Sequence, residues 1–170
     1  MNNLLVGESI LVVGAGGLLG VKVIKGALDQ GAKVIALDLS LKNLQDNLSK
    51  EGIDLTSSNI VCSSLDITCA DEVINLFKSD IEITGAVNCT YPRNKTYGAH
   101  FFDVKISDFN DNLSLHLGSA FLFTQQCAAY FKDKLEPFSL VNISSIYGVV
   151  APKFDIYDNT PMTMPVEYAA

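Results

Sequence analysis

Short β-branched runs alternate with longer stretches of helical period along the chain, and this alternation restricts the fold more than any other feature of the sequence. Ser9-Ile-Leu-Val-Val-Gly14 is near-continuously apolar, as a strand covered on both faces must be. Leu18 to Asp29 follows with apolar residues at 19, 23, 24, 27 and 28, a helical period that Gly31 closes. Lys33 to Leu37 reads as a second strand, and Ser40 as the N-cap of a helix running to about Lys50. Asn59 to Cys62 is a third strand, Asp71 to Lys78 a short helix, and Gly85 to Asn88 a fourth strand. A long helical tract from Ser107 to Lys134, bent or broken near Gly118, leads to a fifth strand at Phe138 to Ile143. The pattern predicts a single α/β domain over residues 1–170, a doubly wound and mainly parallel sheet.

Composition narrows the function classes. The chain is 48% hydrophobic and 18% charged, which excludes a disordered or low-complexity protein. A net charge of −7 argues against an electrostatic nucleic-acid binder. No run of about 18 apolar residues marks a membrane span, and no basic residue precedes the first apolar stretch as a secretory signal requires. Cys62, Cys69, Cys89 and Cys127 show no metal-binding or redox spacing, so reduced thiols in a cytoplasm are expected, and no metal.

The first strand runs into Gly14-Ala15-Gly16-Gly17-Leu18-Leu19-Gly20 and then directly into a helix. In that setting Gly14 permits a tight turn, Gly16 or Gly17 lets backbone approach a pyrophosphate, and Gly20 brings the helix close to the sheet. The helix start, with the N–H groups of Leu18 and Leu19, offers donors and a partial positive charge to phosphate. Asp38, ending the second strand, is placed to accept hydrogen bonds from adenosine ribose and to repel a 2′-phosphate. NAD is therefore expected over NADP, with Lys42 the one neighbouring cation against it. Asp66 and Ile67 either line the adenine pocket or cap the following helix.

With these residues in place, the chain resembles the short-chain dehydrogenase/reductase family over essentially its whole length. Asn88-Cys-Thr stands where the family has Asn-Ala-Gly, Asn142-Ile-Ser144-Ser145-Ile-Tyr-Gly148 matches the segment that delivers the active-site serine, and Tyr168-Ala-Ala170 matches the start of Tyr-x-x-x-Lys. Val13 and Leu18 depart from the commonest glycine loop. Read as Gly14-x-x-Gly17-x-x-Gly20, the loop is similar to the extended, sugar-nucleotide branch, as is the long interval between Ser145 and Tyr168. His116 stands where the family has a helix asparagine. The chain looks most like oxidoreductases of flagellin glycan modification, which act in sugar and nonulosonate pathways.

The resemblance implies a Rossmann-like fold, NAD(P), and hydride transfer to or from a hydroxyl or keto group of a small, sugar-like substrate. It also implies a homodimer or homotetramer. Tyr168 would handle the alcohol proton, Ser145 (Ser144 being the alternative) would hold the substrate oxygen, and Asn88 would line the cofactor. A phenol of ordinary pKa is a poor base at neutral pH, and a lysine ammonium and oxidised nicotinamide would favour its phenolate. His116 either joins a proton relay or is an ordinary helix residue, and Asn112, one turn earlier, could supply the missing amide. Arg93 and Lys95, among Tyr91 and Tyr97, either grip an acidic group on the substrate or lie on a solvated loop. Residues 153–165 read as an irregular lid or a long connection. The competing readings are a sugar-nucleotide epimerase or dehydratase with no net redox change, and a regulatory NAD-binding protein without turnover. The sequence ends two residues before the lysine that Tyr-x-x-x-Lys calls for. A longer natural protein is therefore expected, with the C-terminal strands and helices of the fold that are missing here.

Overall fold

The computed structural model describes residues 3–160 and 163–168. Its sheet has five strands, β1 (Ser9–Val13), β2 (Lys33–Asp38), β3 (Ile60–Ser64), β4 (Gly85–Asn88) and β5 (Ser139–Asn142), in the order β3-β2-β1-β4-β5. Every neighbouring pair is parallel. Helices α1 (Leu18–Asp29), α2 (Leu41–Lys50), α3 (Ala70–Lys78), α4 (Ile106–Leu113) and α5 (Ser119–Lys134) complete the regular structure. Each expected strand and helix is present, with ends displaced by one or two residues.

Parallel neighbours must be joined by crossovers, so helices cover both faces and the strands lose their polar side. β1 shows this most clearly. Successive strand residues point to opposite faces, so Val12 joins a core with Val21, Ile24, Ala27, Leu44 and Leu48 of α1 and α2. Leu11 and Val13 join the other core, with Val73, Phe123 and Cys127 of α3 and α5. Leu11 and Val12 are fully buried. Ser40 caps α2 as expected, accepting the Asn43 N–H at 3.3 Å.

The chain divides into two compact units, residues 1–90 with 120–143, and residues 91–119 with 144–170. The first holds the whole sheet. In the second, the long helical tract is interrupted by one π-helical turn, Ser114–Gly118, between α4 and the first residue of α5. This is the physical form of the break expected near Gly118. Ser119 Oγ donates to the Leu115 carbonyl there, a side-chain bond back into the preceding turn. Residues 153–165 contain one short 3₁₀ turn, Phe154–Tyr157, and otherwise irregular chain, with 161 and 162 outside the described residues. Among the described residues no helix is long and apolar enough to cross a membrane.

Candidate active site and cofactor cradle

In the sheet unit, β1 is followed in space by β2 on one side and β4 on the other. Strand order reverses at β1, so a crevice opens beyond its carboxyl end, where ligands bind in this architecture. The glycine loop fills that position, and its glycines have distinct steric reasons. Gly14 has φ +71°, and a Cβ there would stand 2.7 Å from the Cys89 and Thr90 backbone at the end of β4. A Cβ on Gly20 would stand 2.2 Å from the Gly14 carbonyl oxygen. These two glycines are required by packing. Gly16 is hemmed in by Leu44 of α2 at 3.0 Å and by Asp38 Oδ2 at 3.3 Å. Of Gly16 and Gly17, it is Gly17 whose surface is open, a Cβ meeting only the Gly14 carbonyl at 3.3 Å.

Gly17 is the N-cap of α1 and supplies no side-chain cap. The first-turn N–H groups of Leu18, Leu19 and Gly20 therefore lack an intrahelical acceptor and suit a phosphate. Leu18 stands 94% exposed at the helix start, leaving the approach to these N–H groups open. This cradle, with its open Gly17 and uncapped helix, fits the pyrophosphate of a dinucleotide.

Asp38 holds the loop in shape. Its Oδ2 accepts the Gly16 N–H at 2.9 Å and its Oδ1 the Ser40 N–H at 3.3 Å. Asn47 of α2 donates its amide to the Gly16 carbonyl at 3.0 Å. Asn47 escaped sequence reasoning because only the packing of α2 on the loop brings it there. Asn88 is buried. Its Oδ1 accepts both the N–H and hydroxyl of Thr90, and its amide donates to Asn142 at 3.2 Å. Asp66 turns back locally, accepting the Thr68 N–H and hydroxyl just before α3, and the Ile67 side chain belongs to the core. Burial pushes the Cys89 thiol up, leaving it protonated beside the loop.

In the second unit, a cluster of rings gathers on the π turn. The His116 ring lies 4.6 Å from the Tyr91 ring and 5.5 Å from the Tyr97 ring. Tyr91 is 5.7 Å from Tyr168, edge to face, and Tyr168 is 6.3 Å from Tyr147. Tyr97 and Tyr147 are thus partners of the two candidate catalytic rings, His116 and Tyr168. The Arg93 guanidinium sits 5.6 Å above Tyr91. Lys95 is exposed on the same loop. Ser145 is half-buried and accepts the Tyr147 N–H at 3.2 Å, whereas Ser144 is exposed.

Electrostatics separate the members of the cluster. Burial raises the Tyr91 phenol well above its ordinary value, Tyr168 and Glu167 add to that rise, and Arg93 opposes it. Tyr91 is thereby held as a neutral phenol. Burial lowers the proton affinity of His116, Glu167 opposes that fall, Arg93 adds to it, and the Pro92 backbone opposes it. Asn112 is fully buried, and its amide is already committed to Glu167 and to the Asn94 N–H. It is tied up internally rather than free to replace a catalytic asparagine.

A family model for short chain dehydrogenases matches residues 8–158. The chain belongs to the short-chain dehydrogenase family. It is 32% identical over 168 residues to the post-translational flagellin modification protein A of Campylobacter coli, covering 94% of this chain and 64% of that protein. The short chain dehydrogenase of Leptospira borgpetersenii, solved with bound NAD+, is 25% identical with a TM-score of 0.77, covering 95% of this chain and 59% of that one. A Pseudomonas aeruginosa RhlG/NADP active-site complex, at 18% identity and a TM-score of 0.76, covers 99% of this chain and 62% of that one, and shares the fold. The chain thus spans less than two thirds of the length of these relatives.

Proposed function

We propose that the protein takes part in a nicotinamide-dependent oxidation or reduction of a hydroxyl or keto group on a small, sugar-like molecule. The observation that carries this reading is the uncapped start of α1 against an open Gly17, with Asp38 bonded to the same loop. NAD, when bound, supplies the hydride acceptor, and NADH the donor. The N–H groups of Leu18, Leu19 and Gly20 would hold the pyrophosphate, Asp38 would receive the ribose hydroxyls and disfavour a 2′-phosphate, and Asn88 would stabilise the neighbouring strand end. Asp66 and Ile67 contribute backbone to the adenine side.

Tyr168 takes or returns the alcohol proton, Ser145 holds the substrate oxygen, and His116 relays the proton. Tyr91, held neutral, cannot compete as the base. The likeness to a flagellin modification protein supports a sugar-like substrate, in flagellin glycan or nonulosonate synthesis. A cytoplasmic homodimer or homotetramer completes the reading, on family grounds.

The test is twofold. Calorimetry with NADH and NADPH is expected to show tighter binding of NADH. Incubation with NAD or NADH and a panel of nucleotide sugars is expected to give nicotinamide absorbance changes stoichiometric with product, which an epimerase or dehydratase would not. Tyr168→Phe then lowers turnover by about 10²–10⁴-fold while NADH binding is retained. Full turnover in that variant refutes the assignment of Tyr168.

A further inference from the structure

Two buried polar atoms of the ring cluster have no hydrogen-bond partner among the described residues, His116 Nε2 and Glu167 Oε2. Glu167 precedes Tyr168 directly and is only 5% exposed. Its other oxygen, Oε1, accepts the Asn112 amide at 2.9 Å. Asn112 in turn accepts the Asn94 N–H at 3.0 Å, and the Asn94 amide donates to the Asp108 carbonyl at 3.3 Å. One carboxylate thus joins the turn Val166–Tyr168, helix α4 and the loop that carries Tyr91 and Tyr97.

A buried carboxylate is costly without a cation or a full set of donors. The two ion pairs among the described residues, Lys22–Glu51 and Lys153–Asp155, do not involve Glu167. The groups facing His116 are the Tyr91 and Tyr97 rings, the Arg93 guanidinium, the Pro92 backbone and Glu167, the one carboxylate that acts on it. Arg93 is the cation of this cluster, but it sits over the Tyr91 ring and is not ion-paired with Glu167, so Glu167 Oε2 and His116 Nε2 both stay without a partner among the described residues.

We infer that Glu167 is a positioning residue for Tyr168 and, across the shared Tyr91 ring, for His116. Oε1 fixes the turn bearing Tyr168 to α4 through Asn112, and the carboxylate charge holds up the proton affinity of His116. The inference rests on the reading of Tyr168 as the proton-handling group, but its two physical parts are measurable without turnover.

The chain has two histidines, so their ring signals in histidine-labelled protein can be assigned with His100→Gln and followed against pH. Glu167→Gln keeps an oxygen for the Asn112 amide and removes the charge. The His116 midpoint is expected to fall by about one pH unit. Glu167→Asp keeps the charge and is expected to restore most of that shift. A midpoint unchanged in Glu167→Gln, or lowered equally in both variants, overturns the electrostatic role. Glu167→Ala leaves the Asn112 amide without its acceptor and is expected to lower Tm by about 5 °C, with Glu167→Gln near wild type. Melting of Glu167→Ala at the wild-type temperature overturns the tethering role. Loss of the Tyr168 assignment, by contrast, would show as full turnover in Tyr168→Phe with the His116 titration still dependent on Glu167.

Discussion

In the loop 14–20 the candidate functional atoms are main-chain N–H groups, and side chains are excluded wherever Gly14 and Gly20 let backbone approach backbone. Around His116 every candidate functional atom belongs to a side chain, and its position depends on contacts between residues far apart in sequence, such as Asn112 and Glu167. The first kind of site is rigid because there is no room for an alternative. The second is held by a few hydrogen bonds and ring contacts, so its chemistry can be tuned by single charges. Substitutions should therefore cost the two regions differently.

The largest effect is expected at Gly20→Ala, where a methyl must enter space held by the Gly14 carbonyl and the Ala15 backbone. Stability should fall by about 3 kcal/mol, read from urea denaturation. A near-neutral result would show that the loop yields and would break the contrast. Asp38→Ala comes next. It strands the Gly16 and Ser40 N–H groups, costing about 1–2 kcal/mol, and abolishes the preference for NADH over NADPH in calorimetry. Gly17→Ala sharpens the comparison, because its backbone is extended and its surroundings are open. Stability should change by less than about 1 kcal/mol, while NADH affinity falls about tenfold as the methyl intrudes on the pyrophosphate. Unaltered affinity would place the phosphates elsewhere.

The smallest effect lies in the ring cluster and depends on pH. Burial holds the proton affinity of folded His116 below the ordinary value of about 6.5, so the unfolded chain takes up a proton that the folded chain refuses. The stability conferred by the neutral folded ring is whole above that pH and drains as pH falls toward the folded value. His116→Gln should flatten the fall of urea midpoints with acidification, while Gly17→Ala leaves it unchanged. Equal slopes in wild type and His116→Gln would remove the electrostatic distinction between the regions.

How much could be read in advance follows the same division. The strands and the glycine loop were legible because apolar periodicity and backbone sterics are local, and Gly14 must be glycine wherever φ is positive and a neighbouring strand crowds it. Asp38 was legible as a position but not as the acceptor of the Gly16 N–H, since that bond exists only once the loop has folded back. Asp66 and Ile67 were ambiguous because a strand end followed by a helix serves a ligand and a helix start alike, and the structure engages both residues locally. His116 stood out by its residue type, whereas the π turn that carries it, with the Ser119 hydroxyl bonded back to the Leu115 carbonyl, leaves no mark in the periodicity. Asn47 and Glu167 were invisible. Each acts on a residue brought near by tertiary packing, and neither carries a local signal.

The crowding of Gly14 by the end of β4 has a consequence in time. β1 gains its full set of neighbours only when a strand more than seventy residues later has docked beside it, crowding Gly14 at one end and bonding Ser9 to Thr84 at the other. Closing so long a loop is slow, and its entropy must be paid before the contact rewards it. The candidate phosphate cradle is completed by this long-range pairing, and a bound dinucleotide would act as a latch on the finished sheet, with a grip that grows with the logarithm of its concentration.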